Sequence, residues 1–170
     1  MRVWEALFLC TGNSARSILA EAILQRLGAG RIRAHSAGSR PSGQVHPGAI
    51  ELLREKGYDP SQFRSKGWDE FDRPGAPALD FVFTVCDNAA SESCPVWPGA
   101  PVSVHWGLPD PADPARAPAE RRALFELVYE ELYRRIDSFT RLPIASLPPA
   151  TLKARLTEIG ATAFFDGGED

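Results

Sequence analysis

The chain is poor in cysteine, in basic blocks and in long apolar runs. It has 3 cysteines in 170 residues, an odd number that argues against a structural disulfide framework. No stretch approaches the roughly 18 apolar residues of a membrane span, which argues against a membrane partner. A formal net charge of −3 without clustered Lys and Arg argues against nucleic acid as a partner. The N-terminus lacks the basic start and long apolar run of a signal peptide, so a cytoplasmic location is expected.

The remaining composition is that of an ordinary globular protein. Hydrophobic residues make up 44% of the chain, beside 15 prolines and 14 glycines, which is typical of a folded domain. The length is sufficient to bury a core without disulfides or metals. We expect a main domain over residues 1–142, followed by an extension over residues 143–170 with a short helix and a frayed tail.

Strand and helix patterns alternate along the main domain. The predicted strands are Val3 to Leu9, Ile32 to Ser36, Asp80 to Val85 and Val102 to Trp106, and the predicted helices are Ser17 to Leu27, Pro47 to Lys56 and Ala119 to Phe139. This alternation predicts an α/β fold of three α/β/α layers around a four-stranded parallel sheet, with ligands at the carboxyl ends of the strands. The buried face of the longest helix is predicted to comprise Leu124, Leu127, Val128, Leu132, Ile136 and Phe139.

The segment between the first strand and the first helix has the pattern of an oxyanion-binding loop. It reads Cys10, Thr11, Gly12, Asn13, Ser14, Ala15, Arg16 and Ser17. Successive backbone N–H groups and a helix N-terminus at such a position hold a tetrahedral anion. Five residues separate Cys10 from Arg16, which lets the sulfur face the central atom while the guanidinium forks onto its oxygens.

The same loop is expected to activate its cysteine. The N–H dipoles and Arg16 favour the Cys10 thiolate, and the Ser17 hydroxyl can donate to the sulfur. Gly12 allows a tight turn, and the Asn13 side chain can hold the loop backbone. The alternative is an inert strand-end cysteine beside a surface arginine, but the position of the motif after a strand favours the functional interpretation.

These residues resemble the low-molecular-weight protein tyrosine phosphatase superfamily and, within it, the phosphatase-like arsenate reductases of bacteria. The resemblance covers roughly residues 3–140 and implies the fold of those phosphatases, with residues 1–142 as the catalytic domain and no cofactor. Further matching segments are Ala20-Glu21-Ala22, Ser36-Ala37-Gly38, His46-Pro47, Arg64-Ser65-Lys66, Cys86, Cys94-Pro95, His105-Trp106-Gly107 and Asp110-Pro111.

Asp110 matches the family's general acid, which delivers a proton to the departing oxygen. Asp113 is a competitor, since Asp-Pro dipeptides also mark turns. The true phosphatases typically carry tyrosines just after this Asp-Pro, whereas this chain has Ala112 and Asp113. Their absence weakens the phosphotyrosine interpretation.

Cys86 follows a predicted strand and is therefore expected on the same rim as the Cys10 loop. The resemblance implies that Cys10 forms an adduct with arsenic, that Cys86 attacks the Cys10 sulfur to expel arsenite, and that Cys94 then attacks Cys86. Thioredoxin, or glutathione with glutaredoxin, would reduce the resulting disulfide. The 7 residues between Cys86 and Cys94, and Ala15 where many members have a cysteine, leave the choice of reductant open. Two inert core cysteines are the alternative.

Three functions therefore stay open at the level of sequence. The first is arsenate reduction, and the second is hydrolysis of phosphotyrosine or small phosphoesters by Cys10, Arg16 and Asp110. The third is binding of phosphate without turnover. No metal site is expected, because the three histidines show no ligand spacing and are interpreted as structural, although Asn13, Glu21 and Ser36 match positions that hold a monovalent cation in some reductases.

Overall fold

The computed structural model describes residues 2–86, 97 and 99–161. These ranges contain four strands and four α-helices. The strands are β1 (Trp4–Cys10), β2 (Ile32–Gly38), β3 (Phe81–Thr84) and β4 (Val102–His105), and the helices are α1 (Arg16–Leu27), α2 (Pro47–Glu55), α3 (Pro118–Thr140) and α4 (Pro149–Ala161). Short 3₁₀ helices lie at Pro60–Gln62, Trp68–Phe71 and Ile144–Ser146.

The strands form one parallel sheet in the order β2-β1-β3-β4. Helices pack against this sheet, and the predicted α/β fold class is confirmed. The pairing of Cys10 with Gly38 places the end of β1 beside the end of β2, and Leu9 pairs with Thr84 at the end of β3. The carboxyl ends of the central strands therefore meet where the Cys10 loop begins.

Alternate residues of the strands point to opposite faces of the sheet and bury two hydrophobic clusters. The larger cluster contains Phe8 and Phe83 of the central strands, together with residues of all four α-helices. The smaller cluster takes Leu7 and Val82 from the same strands and packs them with Phe71 of a 3₁₀ helix. Cys10 and Cys86 both belong to the larger cluster.

The buried face of α3 differs from the predicted face in one predicted residue that is exposed and in two further hydrophobic residues that are buried. Leu127 was expected in the core, but it is 39% exposed. Phe125 and Tyr129 are buried instead, because they continue the i, i+3, i+4 series through Val128 and Leu132. Over the ranges that the structure describes, no helix combines the length and the apolar character that crossing a membrane requires.

Helix α4 packs beside β4, the edge strand of the sheet, and contributes to the larger hydrophobic cluster. Its Leu152 and Leu156 are buried, and the Trp106 indole N–H donates to the carbonyl of Leu156 at 2.8 Å. A Cβ atom on Gly160 would lie 2.3 Å from Cδ1 of Trp106, so only glycine permits this close approach. The described part of the C-terminal extension is thus continuous with the core.

Candidate active site

The backbone of the Cys10 loop is held from outside by the segment that follows β2. The N–H groups of Ser39, Arg40, Ser42 and His46 donate to the carbonyls of Cys10, Thr11, Gly12 and Ser14 at 3.3, 2.9, 2.9 and 2.9 Å. In a trans peptide the C=O and the following N–H point in opposite directions. Because these carbonyls face the 39–46 segment, the N–H groups that follow them are directed toward the other side of the loop. An anion on that side would meet a row of donors.

Asn13 adopts the left-handed conformation within this loop, with φ of 47°. Gly12, which was expected to allow the tight turn, is not among the residues with positive φ, so the left-handed residue of the turn is Asn13. Asparagine tolerates this conformation better than most residues. The buried Asn13 amide donates to Ser17 Oγ at 2.8 Å and to Ser36 Oγ at 3.0 Å, and its oxygen accepts from the Lys66 backbone N–H at 2.8 Å.

The Cys10 sulfur lies 2.9 Å from Ser17 Oγ. Because Asn13 already donates to this hydroxyl, the Ser17 proton is available to the sulfur. Burial nevertheless raises the pKa of the Cys10 thiol, and the neighbouring Cys86 adds to the rise. The Ser17 hydroxyl, the Ser17 backbone N–H and Arg16 act in the opposite direction. The donors expected to stabilise the thiolate are therefore present, but the effect of burial on the pKa is larger.

We expect Ser17→Ala to lower the reactivity of Cys10. A hydrogen bond to a charged group contributes about 1.5–3 kcal/mol, so its loss should raise the Cys10 pKa and slow iodoacetamide alkylation at pH 7 by about tenfold or more. The measurement is the alkylation rate of Cys10 as a function of pH. Ser14→Ala, in the same loop, is the matched control. An alkylation profile identical to that of the wild type would show that the Ser17 hydroxyl does not donate to the sulfur.

Arg16 connects the loop to the segment after β4. Its Nη1 donates to the carbonyl of Leu108 at 2.9 Å, and its Nη2 lies 3.9 Å from Oδ1 of Asp110. A cavity of about 300 Å³ lies between these groups. The residues that line it are Cys10, Thr11, Gly12, Ser14, Ala15, Arg16, His46, Asp110 and Ala112. A thiol, a guanidinium and a carboxyl group thus face one space.

Asp110 and Asp113 have similar local geometry but different positions. Each side chain accepts from a backbone N–H two residues along, Ala112 or Ala115, at 2.9 Å. Asp110 lines the cavity and approaches Arg16, whereas Asp113 is not among the residues that line the cavity. The geometry therefore supports Asp110 as the acid candidate.

Cys86 lies against the same loop. Its sulfur is 3.6 Å from the Thr11 hydroxyl, and the side chain is buried. The expected position of Cys86 beside the Cys10 loop therefore agrees with the structure. Cys94, the third predicted thiol, lies outside the described residues.

The residues matched to a monovalent-cation site form one hydrogen-bonded group behind the loop. The Ser36 hydroxyl donates to Glu21 Oε1 at 2.5 Å, and Asn13 donates to Ser36. The Lys66 ammonium lies 3.9 Å from Glu21 and supplies a positive charge there. Burial raises the pKa of Glu21 and lowers that of Lys66, while their mutual attraction opposes both shifts. Cation binding at this group stays a prediction.

Two residues important for the site's shape did not follow from the sequence. His46 was interpreted as structural, and its Nδ1 indeed accepts from the Gly48 N–H at 2.9 Å to cap α2, but the residue also lines the cavity. A Cβ atom on Gly38 would lie 2.4 Å from the Thr11 carbonyl oxygen, so β2 ends in direct contact with the loop. The roles of His46 and Gly38 at the cavity depend on contacts between segments that are distant in sequence, which local patterns do not report.

A parallel α/β sheet with a cysteine-centred oxyanion loop at its carboxyl end defines a class of thiolate enzymes. The model of the family described as low molecular weight phosphotyrosine protein phosphatase matches residues 5–148. The chain belongs to this family.

Known relatives include both arsenate reductases and phosphatases. An arsenate reductase of Halalkalibacterium halodurans is 37% identical over 132 residues, which is 78% of this chain and 91% of that protein. The structure of a thioredoxin-dependent arsenate reductase of Corynebacterium glutamicum has a TM-score of 0.57 and 26% identity, and the match covers 79% of this chain but only 58% of that one. A low molecular weight protein tyrosine phosphatase of T. tengcongensis has a TM-score of 0.60 and 28% identity over 79% of this chain and 95% of its own.

Proposed function

We propose that this protein is a cytoplasmic arsenate reductase that uses Cys10, Cys86 and Cys94 as a thiol relay. The observation that carries the proposal is the burial of Cys86 against the oxyanion loop, with its sulfur 3.6 Å from the Thr11 hydroxyl. A hydrolytic phosphatase resolves its covalent intermediate with water and needs no second thiol there. Reduction of arsenic by two electrons consumes two thiols. The arsenate reductases among the relatives support the same reading.

The proposed reaction begins at the loop. The Cys10 thiolate attacks arsenic, an S–As bond forms, and one arsenate oxygen departs as water after receiving a proton from Asp110. Arg16 and the loop N–H groups stabilise the negative oxygens during this step. The cavity of about 300 Å³ provides space for a tetrahedral oxyanion.

Reduction follows from thiol exchange. The Cys86 thiolate attacks the Cys10 sulfur, an S–S bond forms, and the S–As electron pair stays on arsenic, which leaves as arsenite. Cys94 then attacks Cys86 and releases the Cys10 thiolate. An external thiol reductant, either thioredoxin or glutathione with glutaredoxin, restores the Cys86–Cys94 pair. The thioredoxin-dependent neighbour favours thioredoxin.

The assay that tests this function measures arsenite formed from arsenate. Separate arms contain thioredoxin with its reductase and NADPH, glutathione with glutaredoxin, and no reductant. We expect multiple turnovers in one reductant arm and at most one turnover without reductant. Trypsin leaves Cys86 and Cys94 on one peptide, so digestion of the arsenate-treated protein should show this peptide lighter by two hydrogens. No arsenite in any arm would contradict the proposal.

A phosphatase is the second candidate, because Cys10, Arg16 and Asp110 around one cavity can also hydrolyse a phosphoester. The small Ala112 on the rim offers no aromatic surface to a phosphotyrosine ring. We therefore expect hydrolysis of simple aryl phosphates as a side activity. Rapid aryl phosphate hydrolysis without arsenite formation would favour this candidate instead.

We expect Asp110→Asn to slow turnover of aryl phosphates with poor leaving groups by roughly 10²–10⁴, the usual contribution of a general acid. Phosphate affinity should change little, because Arg16 and the loop remain. Steady-state rates across leaving groups of different pKa measure the effect. Asp113→Asn is the matched control, since its side chain makes the same local bond. If Asp113→Asn loses activity and Asp110→Asn does not, the acid is Asp113.

A further inference from the structure

Gly107 and Leu108 join several elements of the site behind the cavity. The Leu108 N–H donates to the carbonyl of Val85 at 3.3 Å, and the Leu108 carbonyl accepts from Arg16 Nη1 at 2.9 Å. The Gly107 carbonyl accepts from Arg135 Nη1 of α3 in a longer bond of 3.4 Å. This dipeptide therefore lies between the anion-binding arginine, the strand that leads to Cys86, and α3.

Arg135 belongs to a buried ion pair. Glu131 is 0% exposed and Arg135 is 4% exposed, and Arg135 Nε donates to Glu131 Oε2 at 2.5 Å. Arg134 also donates to Glu131, at 2.6 and 3.1 Å. Removing charges from water costs free energy that their attraction often fails to recover, so apolar residues would stabilise the core as well or better. Stability is thus a weak reason for this pair, and its geometry points to another role.

We propose that the Glu131–Arg135 pair is a positioning device for the oxyanion site. Glu131 fixes the plane of the Arg135 guanidinium through Nε, and Nη1 of the same rigid group reaches the Gly107 carbonyl. The anchored dipeptide then fixes the carbonyl that orients Arg16. The proposal rests on the proposed function only in that Arg16 binds the substrate oxyanion.

The test is the affinity for inorganic phosphate, measured as protection of Cys10 from alkylation by iodoacetate. Arg135→Lys keeps the charge but cannot serve Glu131 and Gly107 from one planar group. We expect the phosphate Kd to rise about tenfold, because small displacements of binding groups have large effects at such sites. Arg134→Lys is the matched control. This variant also replaces an arginine that donates to Glu131 by lysine, but it leaves Arg135 and its bond to Gly107 intact. Its phosphate Kd should stay within about twofold of the wild type.

A double-mutant cycle separates positioning from general destabilisation. If Arg135 acts through Arg16, the effects of Arg135→Lys and Arg16→Lys on phosphate Kd are non-additive, and the second substitution adds little to the first. Loss of folded protein alone would lower the concentration of sites without changing Kd. Additive effects, or a wild-type Kd in Arg135→Lys, would overturn the proposal.

Glu131→Gln provides a second variant of nearly the same shape in case Arg135→Lys folds poorly. It retains a hydrogen-bond acceptor but loses the charge that holds Arg135, and we expect a smaller rise in phosphate Kd. An unchanged Kd in this folded variant would also contradict the proposal. A wild-type protein that binds phosphate but forms no arsenite would count against the proposed function and leave the positioning role intact.

Discussion

Replacing Cys10 by serine is expected to abolish both arsenate reduction and aryl phosphate hydrolysis. Serine occupies nearly the same volume, but its hydroxyl is not ionised near neutral pH and is a weak nucleophile without an adjacent base. The group 2.9 Å away, Ser17 Oγ, is a hydrogen-bond donor to the sulfur and not a base. Both rates should fall to those of the uncatalysed reactions. Arsenite assays and aryl phosphate hydrolysis measure the two losses.

Phosphate binding provides the control for this variant. The loop carbonyls remain bonded to the 39–46 segment, so the N–H groups that follow them keep their direction. Calorimetry should therefore find phosphate affinity in Cys10→Ser equal to or higher than in the wild type, because the serine hydroxyl carries no charge that could repel the anion. Turnover of either substrate by this variant would disprove the assignment of the nucleophile.

Cys86→Ser is expected to separate the two proposed activities. Multiple-turnover arsenate reduction should be lost, because the S–As bond is broken by attack of the Cys86 thiolate on Cys10. Aryl phosphate hydrolysis should continue near the wild-type rate, because water resolves that intermediate and serine retains a hydroxyl beside Thr11. Arsenite and phosphate release from the same preparation give the ratio of the activities.

Cys94→Ser is the companion variant and distinguishes the order of the relay. It should release arsenite in a first turnover, since Cys86 can form a disulfide with Cys10, and then stall or depend on a reductant able to reach that buried bond. If both cysteine variants reduce arsenate at wild-type rates with every reductant, the relay is wrong.

Much of the fold was predictable because apolar periodicity reports which residues are buried. The predicted strand from Val3 to Leu9 differs from β1 by one residue at each end, since Val3 is 38% exposed and Cys10 pairs with Gly38. The error at Leu127 has a different origin. Neighbouring apolar residues lie about 100° apart on a helix, and packing selected Val128 and its partners over Leu127.

The residues of the site were predictable where they form one contiguous motif, follow a predicted strand or match the family, but the bonds that join them were not. The loop from Cys10 to Ser17 carries its chemistry in one motif. The hydrogen bond between Asn13 and Lys66 joins residues 53 positions apart, and the bond between Arg16 and Leu108 joins residues 92 positions apart. No local sequence pattern predicts either bond. Burial of Cys10 is likewise a property of the assembled core, and it reverses the net direction expected for the Cys10 pKa.

The contact between Gly38 and the Thr11 carbonyl has a consequence for how this scaffold can acquire new chemistry. Any larger side chain at Gly38 would push the loop inward, since its Cβ would lie 2.4 Å from that oxygen. The loop backbone is therefore expected to tolerate few substitutions in the β2 residues that contact it. Among the described residues, the margin of the cavity is less constrained, where Ala112 borders the cavity and Cys86 meets Thr11. Substitutions at those two positions leave the loop in place, and under the proposed relay it is Cys86 that separates reduction from hydrolysis.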